Sequence, residues 1–261
     1  ELGNGSQGYN HVTGNYFGTD VSGMSAIPNR DSGVYIFDDA HHNTIGGVAA
    51  AERNVISGSV YHGIFLNGSG TMYNTIVGNY IGTDANATAA IPNSNGVHIN
   101  EGATNNIIGG TGSGDGTVIH GNDLDGVYID GVSTLYNTVT RNSIYGNSDQ
   151  GIDLANGGNA ELPSPTIVSY DLVAGTAAGT ACSNCTVELF SDEEDEGRWF
   201  EASTVADGSG AWNIDKGSAF NGPALTATAT DALGNTSEFG QSASTWLNVH
   251  VDLQGRADDS G

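Results

Sequence analysis

Basic residues are scarce in this chain. Its 261 residues include six Lys and Arg against 30 Asp and Glu, which gives a formal net charge of -24. Such a balance repels nucleic acid and anionic membranes, so the sequence excludes both as partners. The chain also lacks a long uninterrupted apolar run, and this excludes insertion into a membrane as a helix. The first residues have no signal-peptide pattern, and we expect any targeting segment to have been removed.

Helical periodicity is missing as well. No segment repeats apolar residues at helical spacing, and the 40 glycines oppose helix formation. A mostly helical domain is therefore excluded. The apolar fraction of 37% is rich in Val, Ile and Tyr, which excludes disorder and is enough for a β core.

Cysteine is nearly absent, with only Cys182 and Cys185 in a single C-x-x-C motif. The second pair or the histidine that would complete a zinc site is missing. Two interpretations of the motif remain, a structural disulfide and a redox-active pair. Because the motif lies between a turn and a strand, we predict a structural disulfide in an oxidising compartment.

An internal repeat of about 63 residues organises residues 1–160. The segment Tyr9–Asp20 recurs as Tyr73–Asp84, and Gly33–Ile36 recurs as Gly96–Ile99. A half-period of about thirty residues is marked by Gly-apolar-x-apolar strands, which begin at Gly33, Gly63, Gly96, Gly126 and Gly151. Thirty residues hold three short strands and three turns, with no room for a helix. The pattern predicts about five coils of a parallel β-helix.

Three signatures carry a family resemblance in this region: N-T-I-x-G-N at Asn74–Asn79, G-T-D at Gly82–Asp84 and N-x-I-G-G at Asn106–Gly110. They resemble the right-handed parallel β-helix repeat proteins of the pectin-lyase-like superfamily. The resemblance implies an all-β, right-handed coil. It implies no particular activity, because the same fold carries lyases, hydrolases, epimerases, adhesins and inert scaffolds.

A second β pattern follows the repeat. Two prolines mark residues 161–165 as a linker, and residues 166–243 have the size of a small β-sandwich. Its alternating strands are expected at residues 186–190, 199–205, 211–214 and 225–230. The segment 227–239 resembles the last hairpin of bacterial immunoglobulin-like domains, which implies a spacer or binding unit. Residues 244–261 are left as a tail strand.

Outward-facing residues of the coils form a candidate binding surface. The third residue of each Gly-apolar-x-apolar strand should point outward, which aligns Tyr35, Phe65, His98, Tyr128 and Asp153. Two positions further on, a second row contains Phe37, Asn67, Asn100 and Asp130. Aromatic rings beside amides suit extracellular polysaccharide, so we predict glycan contacts at the rings, Asn67 and Asn100. The alternative, which the sequence favours slightly, is that the stacked rings only stabilise adjacent coils or lie under the second domain.

Carboxylates gather in the last two coils, where His120 and Arg141 also lie. They are Asp123, Asp125, Asp130, Asp149 and Asp153. In an enzyme, these carboxylates and Arg141 would form the catalytic site. Asp123 and Asp125 would be the ligands of a calcium ion. Of the elements typical of the superfamily's inverting pectinases, only Asp38-Asp39 and a loosely similar Tyr61-His62-Gly63 are present. Solvated turn carboxylates are therefore favoured, and the sequence assigns no catalytic residue, metal or cofactor.

Two further clusters are interpreted as turns. His41 and His42 stand beside Asp38 and Asp39 as in a transition-metal site, but adjacent histidines on a strand face opposite sides. The acidic run 192–196 is expected in a solvated hairpin loop, with calcium as the alternative.

The ends of the chain suggest an assembly. The first coil is expected to be incomplete, and the tail alternates apolar residues. The assembly residues are Trp246, Leu247, Val249, Val251 and Leu253. We predict a secreted bacterial surface or matrix protein without catalytic activity, whose copies associate head to tail by strand addition. The alternatives are a polysaccharide lyase or glycoside hydrolase, and a glycan-binding module.

Overall fold

The computed structural model describes residues 1–3, 8–193 and 195–244. These residues form an all-β structure with one 3₁₀ turn at Gly158–Glu161. Strands β1 to β15 belong to the repeat region. In chain order they are His11–Val12, Tyr16–Phe17, Val34–Ile36, Thr44–Gly46, Val55–Ile56, Ile64–Asn67, Thr75–Val77, Tyr80–Ile81, Val97–Asn100, Ile107–Gly109, Val118–His120, Val127–Asp130, Thr138–Thr140, Ser143–Tyr145 and Ile152–Ala155.

The fifteen strands form three parallel sheets of five strands each. The first sheet has the order β1-β4-β7-β10-β13, and the other two contain every third strand in the same way. Successive strands therefore pass from one sheet to the next, and each sheet gains one strand per coil. This is the arrangement of a parallel β-helix of five coils, as the repeat predicts.

Aliphatic side chains from all three sheets fill the interior. Ile45, Ile76, Ile108 and Val139 stack along one sheet, and each is at most 3% exposed. Matching residues from the other sheets complete one continuous core cluster. Because a fully buried aliphatic side chain stabilises a fold by about 1.5–3 kcal/mol, this core cluster is a major source of the stability of the β-helix.

Buried asparagines join the coils at one corner of the β-helix. In each coil the amide oxygen accepts hydrogen bonds from the backbone N–H and the Nδ2 of the asparagine one coil earlier, at 2.8–3.1 Å. The series runs through Asn10, Asn43, Asn74, Asn106 and Asn137 and ends at Asn159, which accepts from the Asn137 N–H. The recurring asparagines are thus internal polar ladders that satisfy the backbone at the turns.

The glycine that begins each strand of the third sheet is required by close packing. A Cβ at Gly63, Gly96 or Gly126 would lie 2.5–2.6 Å from the carbonyl oxygen of the corresponding glycine one coil later. No side chain fits there without moving the backbone. At Gly151, where the next coil would follow, the Phe239 ring occupies this position, and a Cβ on Gly151 would lie 2.8 Å from its Cε2 atom.

The second domain contains two antiparallel sheets. Strands Thr166–Asp171 (β16), Thr176–Thr180 (β17) and Ala211–Asp215 (β20) form the first sheet. The second contains Thr186–Asp192 (β18), Trp199–Val205 (β19), Ala224–Thr230 (β21) and Ala243–Ser244 (β22), in the order β19-β18-β21-β22. All four strands expected between residues 186 and 230 are present. The predicted disulfide Cys182–Cys185 is also present, in the turn between β17 and β18.

Strand β18 is buried on both faces. Val187 and Leu189 point into the core of the second domain. Glu188 and Phe190 point the other way, toward the last coil, where Glu188 bonds Thr140 and Phe190 packs against Phe239. The four-stranded sheet therefore lies over the C-terminal end of the β-helix.

Candidate functional site

The predicted aromatic row exists as one stack. Register pairs Tyr35 with Phe65, Phe65 with His98 and His98 with Tyr128, and Asp153 follows in the last coil. Ring centroids are 4.9, 5.0 and 4.8 Å apart, with interplanar angles of 12°, 22° and 38°. In the second row, Asn67 Nδ2 donates to Asn100 Oδ1 at 2.7 Å. The coils thus bring together the residues selected for glycan binding.

The stacking decides which parts of the rings are available. Phe65 has Tyr35 on one face and His98 on the other, so its edge is what remains toward solvent. His98 is only 9% exposed. Sugars stack on exposed ring faces, and these faces are covered. The geometry therefore favours the packing role of the row, while glycan contact stays a prediction for its edges and amides.

A pair of histidines lies at the middle of this stack, where His62 contacts Phe65 and His98. His62 Nε2 lies 3.1 Å from His98 Nδ1, and the rings meet edge to face. Burial lowers the pKa of both imidazoles to about 4. Both are therefore neutral at neutral pH, and the N–H of one ring donates a hydrogen bond to the nitrogen of the other.

Replacing Phe65 by alanine should reduce the free energy of unfolding by about 2 kcal/mol, because three ring contacts and half-buried apolar surface are lost. Chemical denaturation measures this loss. Tyr61, which is 55% exposed, is the matched control, and Tyr61→Ala should cost less than about 0.5 kcal/mol. Unchanged stability together with lost retention on polysaccharide would instead show a sugar platform.

The predicted carboxylate set is only partly brought together. Asp125 is buried, and it accepts a hydrogen bond from the Gln150 N–H. Its burial, with the charges of Asp153 and Asp149, raises its pKa to about 6. Burial and the charges of Glu238, Asp149 and Asp130 also raise the pKa of Asp153.

The remaining members of the set lie apart or are engaged in local contacts. Asp123 is exposed, and Asp130 accepts from Asn156 Nδ2 at 2.7 Å. His120 stacks on Tyr145 at 4.2 Å. Across residues 1–3, 8–193 and 195–244, no three His, Cys, Asp or Glu side chains converge as metal ligands.

Arg141, the basic residue of the proposed enzyme site, belongs to the interface with the second domain. Its Nε lies 3.5 Å from Glu188, its Nη1 donates to the Thr111 carbonyl at 2.8 Å, and its guanidinium covers the Phe200 ring at 4.8 Å. A lyase needs its base beside the carboxylates that hold the substrate, and these contacts do not place Arg141 there.

The aspartate of the G-T-D signature is a loop-capping residue. Asp84 Oδ1 accepts from the N–H groups of Asn86 and Thr88, at 3.1 and 2.8 Å. Burial opposes its charge, but these hydrogen bonds lower its pKa. Asp20 makes the same contacts in the earlier copy, with Ser22 and Met24. The signature therefore specifies a loop rather than a catalytic acid.

A further polar site joins the two domains, and the sequence does not reveal it. Five backbone N–H groups of the last coils donate to side chains of the second domain at 2.7–3.2 Å. The pairs are Tyr136 with Asn235, Val139 with Thr236, Arg141 with Glu188, Asn147 with Glu196, and Leu154 with Glu238. We call these ten residues the cap interface. A sixth connection is the antiparallel backbone bridge between Ile144 and Gly197.

Glu196 ends one polar ladder of the β-helix. The Asn93 N–H donates to the Asn122 side chain, and the Asn122 N–H donates to the Asn147 side chain. Asn147 in turn donates its N–H and Nδ2 to the Glu196 carboxylate. Burial raises the pKa of Glu196 to about 7. Burial likewise raises the pKa of Glu188. The predicted solvated loop 192–196 is therefore wrong at Asp192 and Glu196, which are buried, while Glu193 and Asp195 are exposed.

A raised pKa means that ionisation of Glu196 is less favourable in the folded protein than in the unfolded chain. Its contribution to stability is complete below about pH 4.5 and is lost as the pH rises through about 7. Glu196→Gln should therefore stabilise the protein by about 2 kcal/mol at pH 8 and change little at pH 4.5.

The comparison of the two proteins at each pH isolates Glu196. The His62–His98 pair acts in the opposite direction, because its neutral form is favoured and stability is lost as the pH falls from 6.5 through about 4. That effect is common to both proteins. Glu193→Gln, in the same loop and exposed, is the control for the substitution itself. Equal pH profiles of wild type and Glu196→Gln would contradict the assignment.

The tail residues chosen for assembly, Trp246, Leu247, Val249, Val251 and Leu253, lie outside the described residues. The described chain reaches Ser244, which pairs with Ala224 at the edge of the four-stranded sheet. No helix within the described ranges is long and apolar enough to cross a membrane.

The sequence matches no known family model, and no curated protein matches it significantly.

Proposed function

We propose that this chain is a non-catalytic structural segment of a secreted bacterial surface or matrix protein, a β-helical rod whose C-terminal end is closed by an immunoglobulin-like domain. The observation that carries the proposal is the cap interface, in which five amides of the rod meet five acceptors of the second domain.

The cap interface supplies what an exposed coil lacks. An open coil presents unpaired N–H groups and apolar core to any passing strand, which promotes aggregation. Here side-chain oxygens take the place of the next coil's carbonyls, and Phe239 packs against the core. Three and four antiparallel strands in two sheets also fit the seven strands of an immunoglobulin-like sandwich.

The other proposed functions have less support from the site. Asp20 and Asp84 cap loops, Arg141 is held by Glu188, and the ring faces of the aromatic row cover one another. The disulfide Cys182–Cys185 supports an oxidising, extracellular location. A rigid rod with a sealed end suits a spacer that holds other parts of a surface protein away from the cell.

A panel of acidic and neutral polysaccharides tests the absence of catalysis. We expect no release of reducing or unsaturated sugars with or without calcium. Turnover that disappears in Asp125→Asn would overturn the proposal and support the lyase or hydrolase. Retention on a glycan array that is lost in Asn67→Ala would support the glycan-binding module.

Head-to-tail association remains a second proposal. Strand β22 leads into the tail from a sheet edge, where backbone groups are available for strand addition. Deletion of residues 245–261 should convert assembled protein into monomers with both domains folded, as measured by light scattering. A full-length chain that is monomeric at high concentration would exclude the association.

A further inference from the structure

His41 and His42 lie in a turn that directs both imidazoles to the same side. His42 has a φ of 54°, a left-handed conformation, so the strand rule that sends neighbouring side chains to opposite faces does not apply. The Nδ1 atoms of the two rings are 3.0 Å apart, and one Nδ1–H donates to the other Nδ1. The donor ring therefore takes its Nε2–H tautomer when both Nδ1 atoms bind one ion. The sequence argument against a shared ligand fails at this residue.

Neighbouring aromatic rings hold the pair in place. The His42 ring lies between Tyr9 and Tyr73, with centroids 5.0 Å from each. His41 meets the edge of Tyr9 at 6.0 Å, and Gly8 is packed against the His41 ring, since a Cβ there would lie 2.7 Å from Cε1. Two donors that are already oriented lose little freedom on binding a ligand.

The spacing of the two nitrogens selects the kind of metal. Metal–imidazole bonds are about 2.0–2.1 Å long, so nitrogens 3.0 Å apart subtend an angle of about 95° at the ion. This is the cis angle of a tetragonal or octahedral centre, whereas a tetrahedral centre needs nitrogens about 3.3 Å apart. Tetragonal nitrogen sites are typical of Cu(II) and Ni(II).

We propose that His41 and His42 form a bidentate surface site for Cu(II) or Ni(II), bound through the two Nδ1 atoms with water in the remaining positions. The exposed Asp38 and Asp39 lie in the same connection between β3 and β4, and the chain carries a net charge of -24, which favours a cation over an anion. His42 is exposed and His41 half-exposed, which gives the ion access.

The other histidine pair is a built-in comparison. His62 and His98 have nitrogens 3.1 Å apart, but His98 is buried within the aromatic stack and an ion cannot reach it without opening the rod. The proposal therefore concerns one pair and predicts a stoichiometry of one.

Calorimetric titration of the full chain with CuCl₂, NiCl₂, ZnCl₂ and CaCl₂ tests the site. We expect one Cu(II) per chain, at least tenfold weaker binding of Zn(II), and no calcium binding at the pair. Electron paramagnetic resonance of the copper form should show two equivalent nitrogen ligands. His41→Ala and His42→Ala should each weaken copper binding at least tenfold.

His11→Ala is the matched control, because His11 is exposed and single on β1, and its copper affinity should equal that of the wild type. The melting temperatures of all three variants show whether the rod remains folded. Copper affinity that is unchanged in both His41→Ala and His42→Ala, or zinc binding as tight as copper binding, would overturn the proposal.

Discussion

Replacing Asn106 by leucine is expected to lower the free energy of unfolding by about 4 kcal/mol. Asn106 Oδ1 accepts from both the N–H and the Nδ2 of Asn74, at 3.0 Å each, and all of these groups are buried. Leucine has a similar volume but no acceptor, so two donors lose their partner without access to water. A buried unsatisfied polar group costs about 1–3 kcal/mol, and Thr71 and Asn137 lose a donor as well.

Equilibrium unfolding in guanidinium chloride measures this cost. Asn86 provides the control in the same domain, because its side chain is exposed on a loop, and Asn86→Leu should change stability by less than about 0.5 kcal/mol. Similar costs at both positions would show that the ladder contributes no more than an ordinary surface amide.

Replacing Phe239 by alanine should cost about 3 kcal/mol and separate the melting of the two domains. The ring packs against Gly151 of the last coil, against Gly197 and against Phe190, and it belongs to the core of the rod although it lies in the second domain. Its removal leaves a cavity at the contact between domains. The wild type should unfold in one calorimetric transition and the variant in two.

Leu233 tests the specificity of that effect. It lies in the neighbouring turn and is 66% exposed, so Leu233→Ala should keep the single transition. A single, unshifted transition in Phe239→Ala would mean that the ring does not couple the domains.

Much of the rod follows from the sequence, because its repeat imposes the same geometry on every coil. The Gly-apolar-x-apolar pattern places Val97 and Ile99 inside and His98 between them, and the register agrees. The pattern gives no information on what covers an outward side chain. His98 is buried because His62, which lies one coil earlier, packs against it.

The cap interface could not be predicted, because its acceptors have the composition of a solvated surface. Glu188 lies between Val187 and Leu189 and follows the alternation of a half-exposed strand, yet the last coil covers it. Strand β17 escapes prediction for a related reason, since Thr-Ala-Ala-Gly-Thr contains no large apolar residue. The cap interface depends on contacts between segments far apart in the chain, and β17 lies between its neighbour β16 and the more distant β20.

Amide hydrogen exchange at the last coil tests most directly whether the second domain caps the rod. The N–H groups of Tyr136, Val139, Arg141, Asn147 and Leu154 should exchange at least a thousandfold more slowly than unstructured amides in the wild type. In Phe239→Ala these five amides should lose protection while the Thr75 amide, which bonds Asn43 inside the rod, keeps it. Exchange of the five amides at unprotected rates in the wild type would contradict the account.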